Sequence, residues 1–181
     1  WEYYFEQLKK YDTIVFEYHK EMSDWEKFGQ TSPKYIYWCK KNAARFLCNL
    51  YGDNTLLDKK VTMGGFVFAK SKSNSFVNNW LDLTLNHPKL VTPASKDDLH
   101  DQIEGFCFHC HDQAVMTAVA NNDSATLILP EDMETGNGKP DIVASRYRCK
   151  TRMDYIKERT FRTFRKLFGE SLYNNIKSKL K

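Results

Sequence analysis

Apolar residues along this chain recur with two periods, and the switches between them mark the predicted elements. From Trp1 to about Lys10, Tyr4, Phe5 and Leu8 share one side of a helical turn, which predicts a short amphipathic helix. DTIVFEYH (Asp12 to His19) has a β-branched and aromatic centre and predicts a strand. A polar connection through Ser23, Gly29 and Pro33 follows. KYIYWCKKNAARFLCNLYG then returns to helical spacing through Trp38, Ala43, Phe46, Leu47 and Leu50, with Gly52 as its stop. Val61 to Ala69 is a second strand, interrupted by Gly64-Gly65. SNSFVNNWLDLTLNHP predicts a helix with Phe76, Val77, Trp80, Leu81 and Leu85 on one face, ended by Pro88. HDQAVMTAVAN is a short, strongly apolar helix, SATLILPED a third strand, and Met133 to Pro140 a loop. The last segment, DYIKERTFRTFRKLFGESLYNNIKSKLK, predicts one or two helices striped by Phe161, Phe164, Leu167, Phe168, Leu172, Ile176 and Leu180. Strands alternating with helices argue for the α/β class.

Composition narrows this picture. A chain of 181 residues, 41% hydrophobic and 28% charged, suits one folded domain rather than a disordered chain. No apolar run reaches the roughly 18 residues of a spanning helix, and no secretory signal is visible. Five scattered cysteines do not make a disulfide framework, so a reducing, cytoplasmic setting is expected. The net charge of +4 is unevenly placed. Residues Arg146 to Lys181 carry twelve Lys and Arg against three acidic side chains, leaving the preceding residues at about −5. The expected organisation is therefore an α/β body over 1–145 and a basic amphipathic helical tail over 146–181, packed on the body. With Phe and Leu on one face and Arg and Lys on the other, that tail also suits peripheral attachment to an anionic membrane. Nucleic acid is a poorer partner, because no RRM, KH or zinc-finger pattern accompanies the charge.

The densest chemistry is GFCFHCHDQ, Gly105 to Gln113. Cys107-x-x-Cys110-His111 has the spacing that attaches haem c, but flanking strands and the lack of an export signal argue against haem. Structural zinc needs four ligands in tetrahedral array; neighbouring Cys107, His109, Cys110 and His111 cannot all point inward, and no second paired motif completes them. A thioredoxin-like CxxC belongs after a strand near the N-terminus, which is not its place here. The remaining reading rests on Asp112 and Gln113 at the start of an apolar helix. There Asp112 is a good N-cap, and, beside two imidazoles, it can orient a hydroxyl or act as a base.

Taken in order, VTMGGFVFAKSKSNSFVNNWLDL followed by FHCHDQAVMTAVA resembles the C-terminal half of GT-A-type glycosyltransferases of the glycogenin-like kind. It is still more similar to bacterial and viral polysaccharide glycosyltransferases that carry a Gly-Gly strand, a helix with a central Trp, and a His-Arg-His-Asp-Gln-Ser block. His109, His111, Asp112 and Gln113 match that block, Gly64 and Gly65 the bend, and Trp80 the helix. Cys110 replaces the basic residue and Ala114 the serine, which removes a cation from between the histidines. The resemblance covers roughly Tyr35 to Pro130. It implies a GT-A-like fold that transfers a sugar from a nucleotide-sugar donor to a glycan or lipid-linked acceptor, with a divalent metal (Mn or Mg). Asp112 and His111 would be catalytic. Gly64, Gly65, His109, Gln113 and Trp80 would bind substrate, with His109 and His111 as the candidate metal ligands. No Asp-x-Asp follows a hydrophobic strand: Asp82 lies in a helix, and KDDLHD (Asp97, Asp98, Asp101) is expected to be a loop cluster. The chain thus reads either as an acceptor-side half without its donor-binding half or as a divergent member. The alternative from another class is a non-catalytic module that uses its basic tail to hold an anionic membrane or nucleic acid.

Overall fold

The computed structural model describes residues 1–19, 29–131, Met133, Thr135 and Gly136. The basic segment 146–181, with the helices expected there, lies outside the described residues. Among those described, no helix is long and apolar enough to cross a membrane.

The fold is a mixed α/β arrangement on a three-stranded sheet. β1 (Thr13–Glu17) is central, flanked by β2 (Thr62–Ala69) and β3 (Thr126–Pro130) in the order β2-β1-β3. β1 and β3 run parallel, with Thr13 opposite Thr126 and Glu17 opposite Pro130. β1 and β2 run antiparallel, and their register breaks where Val15 faces Val67 but Glu17 already faces Thr62. The extra residues of β2 in that interval include Gly64 and Gly65, so the glycine pair sits where the strand leaves regular pairing. Thr13 to Phe16 are all buried, as expected of a central strand covered on both faces.

On one side, α1 (Glu2–Leu8) packs Tyr4 against Phe16, Met63 and Leu129, and Tyr4 stacks on Phe68 with ring centroids 5.3 Å apart. On the other lies the main core, formed by α2 (Tyr35–Trp38), α3 (Lys41–Tyr51), α4 (Ser75–Asn86) and α6 (His111–Asn122). Two single-turn 3-10 segments, Asn54–Asp58 and Pro88–Leu90, and the one-turn α5 (Lys96–Leu99) complete the described elements.

Three expectations change. The helix expected to run from Trp38 is two helices, because Cys39 and Lys40 are extended (φ −130°, ψ 125° and φ −60°, ψ 142°). The apolar faces are also rotated. α3 buries Ala43, Ala44, Leu47 and Cys48 while Phe46 and Leu50 are exposed; α4 buries Phe76 and Leu83 while Leu81 and Leu85 are exposed. Finally, KDDL forms a helical turn rather than a loop, and the following segment attaches to the start of α3. The Lys41 amide donates to Gln102 Oε1 at 2.9 Å, Asn42 Nδ2 donates to Asp98 at 3.0 Å, and Lys41 pairs with Asp101. These acidic groups meet the positive end of the α3 dipole, which accounts for their position electrostatically.

Candidate functional site

The Gly105–Gln113 stretch reaches α6 by running alongside α2. The Cys107 amide donates to the Tyr37 carbonyl and the Cys110 amide to the Trp38 carbonyl, each at 2.9 Å. α6 then enters the core at once: Ala114 to Ala120 are all buried, and Tyr35 Oη donates to the Ala114 carbonyl at 3.1 Å. His111 and Asp112, in its first turn, are its exposed residues.

The two histidines of the block have opposite surroundings. His109 is 2% exposed. The Lys40 amide donates to its Nδ1 at 3.3 Å, and its Nε2–H donates to the Leu90 carbonyl at 2.6 Å. Both ring nitrogens are thus satisfied by backbone, which fixes the neutral Nε2–H tautomer. Burial pushes its pKa down to about 4, against an upward pull from the bond to Leu90. His109, expected among the substrate and metal contacts, is instead a brace between the Lys40 and Leu90 backbones, with no nitrogen left for a diphosphate or a metal.

His111 is exposed and takes φ +46°, the left-handed region that non-glycine residues seldom occupy. Its Nδ1–H donates to the Val91 carbonyl at 3.1 Å, so the neutral ring presents an Nε2 lone pair that has no partner among the described residues. The two imidazoles meet edge to face, centroids 5.7 Å apart.

Asp112 is exposed in the first turn, and its carboxylate makes no hydrogen bond or ion pair among the described residues. The expected N-cap role does not hold: Cys110 occupies that position, and Asp112 lies inside the helix with its oxygens free to face solvent. The helix dipole still favours its negative charge.

Gln113 faces β2. Its Nε2 donates to the Thr62 carbonyl at 3.0 Å, and its side chain lies against the bare Cα of Gly64, where a methyl group would come within 2.8 Å of Gln113 Cγ. Gly64 is therefore the point of close approach between α6 and β2, while Gly65 is open, with nothing within 4 Å of a Cβ placed there. Below this contact, Thr62 and Thr117 join in a buried pair at 3.0 Å. Trp80 is half-buried against the core beside Phe76, with its indole N–H buried and unpartnered among the described residues. No described bond or ring contact ties it to His111 or Asp112.

Of the expected site residues, the structure thus brings His109, His111, Asp112, Gln113 and Gly64 to one end of α6 and leaves Trp80 half-buried against the core. Among the described residues, no three His, Cys, Asp or Glu side chains come together as a metal-holding group. Cys39, Cys48, Cys107 and Cys110 are not in disulfides; burial raises the Cys39 thiol to about 12, which makes it a packing group rather than a nucleophile. Pattern reading missed the residues that hold the site from behind: Lys40, buried at the break between α2 and α3, and the Leu90 and Val91 carbonyls that orient both imidazoles. Pro88 gave the only signal for the second, since it marks the turn that presents those carbonyls.

Fold and site together define a small mixed α/β domain with an imidazole and a carboxylate exposed at the tip of a buried helix. The chain matches no protein-family model, no curated protein and no solved structure.

Proposed function

We propose that this chain is the acceptor-side part of a GT-A-like glycosyltransferase, which transfers a sugar from a nucleotide-sugar donor to a glycan or lipid-linked acceptor. One observation carries the reading. At the tip of α6, the free Asp112 carboxylate follows directly in sequence on an exposed imidazole whose ring is oriented by the Val91 carbonyl and whose Nε2 has no partner among the described residues. A pre-oriented hydrogen-bonding group beside an unengaged carboxylate is what positioning and deprotonating a sugar hydroxyl requires. The strain at His111 fits the same reading, because such backbone is retained where surroundings enforce it and clusters at functional sites.

In this mechanism Asp112 takes the proton of an acceptor hydroxyl as that oxygen bonds to the anomeric carbon. The bond from that carbon to the diphosphate breaks, and its electron pair leaves with the nucleoside diphosphate. His111 Nε2 holds a hydroxyl in line, while Gln113 and Gly64 set the depth at which α6 meets β2. A divalent metal belongs to the family resembled. The described tip offers two donors, the Asp112 carboxylate and His111 Nε2, which do not by themselves complete a metal site.

The test is donor turnover by the full-length gene product across a panel of sugar nucleotides. Asp112→Asn is expected to lower it by about 10²- to 10⁴-fold, the usual contribution of a positioned acid or base, with the fold intact. Unchanged turnover in Asp112→Asn would remove the catalytic assignment.

A further inference from the structure

The carbonyl-bearing segment that holds the two histidines also walls a cavity that neither histidine lines. The cavity has a volume of about 750 Å³, formed by the N-terminal half of α3, the end of α4 and the residues that follow it. That size lies within the roughly 300–1,000 Å³ of small-molecule sites.

Its charge is unusual. Lys40 lines it and is only 5% exposed, yet its ammonium has no carboxylate within ion-pair distance among the described residues. It donates to the Thr92 carbonyl at 3.0 Å, with longer approaches to Thr92 Oγ1 at 3.4 Å and the Pro93 carbonyl at 3.5 Å. All three acceptors are neutral, and the Asp98 carboxylate acts on this charge through space rather than by direct contact. Lys89, also in the wall, has no ion-pair partner among the described residues. The one carboxylate of the lining, Asp98, is engaged by the Ser95 amide, the Ser95 hydroxyl and Asn42 Nδ2. The balance in the cavity is cationic.

The rest of the lining adds shape. Phe46 and His87 meet with ring centroids 4.8 Å apart, and Phe46 is 37% exposed, giving an aromatic wall open to a ligand. Asn42 and Asn86 also line it; their Nδ2 groups donate to Asp98 and Asp82, which leaves each amide oxygen for a ligand. An aromatic face for C–H groups, amide oxygens for hydroxyls and two lysines against one carboxylate together fit a polyhydroxylated ring with one negative group.

We propose that this cavity binds a monosaccharide carrying a single anionic group, a phosphate ester or a carboxylate. His111 and Asp112 do not line the cavity, and the proposal stands whether or not they are catalytic.

The full chain should be titrated with glucose 6-phosphate, glucuronate, glucose and inorganic phosphate, followed by amide chemical shifts. One anionic sugar is expected to saturate, with shifts at Asn42, Asn86 and Lys89. Glucose and inorganic phosphate alone are expected to bind at least about tenfold more weakly, since each lacks half of the recognised chemistry. Whether glucose 6-phosphate or glucuronate binds more tightly separates the phosphate ester from the carboxylate. Lys89→Glu and Phe46→Ala, both at exposed positions that leave the core intact, should each weaken binding by about tenfold. The proposal is overturned if no anionic sugar saturates at millimolar concentration, if both variants bind like the wild type, or if the shifts map to His111–Gln113.

Discussion

The shaft of α6 and its tip are continuous in sequence and opposite in character. Ala114 to Ala120 are buried on every side, wedged among α2, α3, α4 and the sheet, whereas His111 and Asp112, one turn earlier, are exposed, with the Asp112 carboxylate unengaged. A helix that is apolar all round belongs inside a protein, so its polar first turn can be held still without being covered. The difference teaches where rigidity comes from: the tip has few contacts of its own and takes its position from the shaft, from His109 and from Gln113. Mutations in the two parts should therefore separate stability from chemistry.

The largest effect on stability is expected in the shaft. Met116→Ala, at a fully buried position, should cost about 2–5 kcal/mol in denaturant unfolding. A change at Asp112 should stay within about 0.5 kcal/mol, as surface substitutions usually do. Equal losses at both positions would break the distinction between shaft and tip.

The brace comes next. An unfolded imidazole titrates near 6.5, whereas folded His109 titrates at about 4. Between those values the unfolded chain binds a proton that the native chain does not. The stability held by neutral His109 is thus fully present above about pH 6.5 and declines as pH falls toward 4, by on the order of 3 kcal/mol. Urea unfolding at a series of pH values should show this decline, and His109→Gln should flatten it. An identical slope in the variant would mean that other groups carry the acid sensitivity.

The smallest effects sharpen the contact between α6 and β2. Gly64→Ala forces a methyl against Gln113 Cγ and should cost about 1–3 kcal/mol. Gly65→Ala meets open space and should be neutral or slightly stabilising, by up to roughly 1 kcal/mol. Thermal unfolding of the pair distinguishes a packing glycine from a bystander.

Much of the element order was legible because β1, β2, β3, α4 and α6 each carry a clear period and a clear stop, such as Pro88 after α4. What could not be read was rotation. Phe46, Leu50, Leu81 and Leu85 are as hydrophobic as their buried neighbours, and only tertiary packing decided that Ala44, Cys48 and Leu83 would face inward instead. The break at Cys39–Lys40 was equally silent, since paired lysines read as helix surface while Lys40 is in fact buried. In the candidate site, the block His109 to Gln113 was visible as a cluster of chemistry-bearing residues. Its division of labour was not, because the partners that make His109 a brace and His111 a presented group are backbone carbonyls and an amide, which leave no side-chain signature.

The central position of β1 also governs how the chain can be assembled. Its parallel partner β3 begins at Thr126, opposite Thr13, so their pairing closes a loop that spans most of the body. Long-range parallel pairing pays its closure entropy before any contact repays it, and such sheets form late. On a ribosome, β1 and β2 can meet first, but β1 keeps one bare edge until β3 has emerged. During that interval a buried-type strand, with Ile14, Val15 and Phe16 in its middle, is open to pairing with another chain. Synthesis of this protein therefore contains a window of aggregation risk that ends only when Pro130 has emerged.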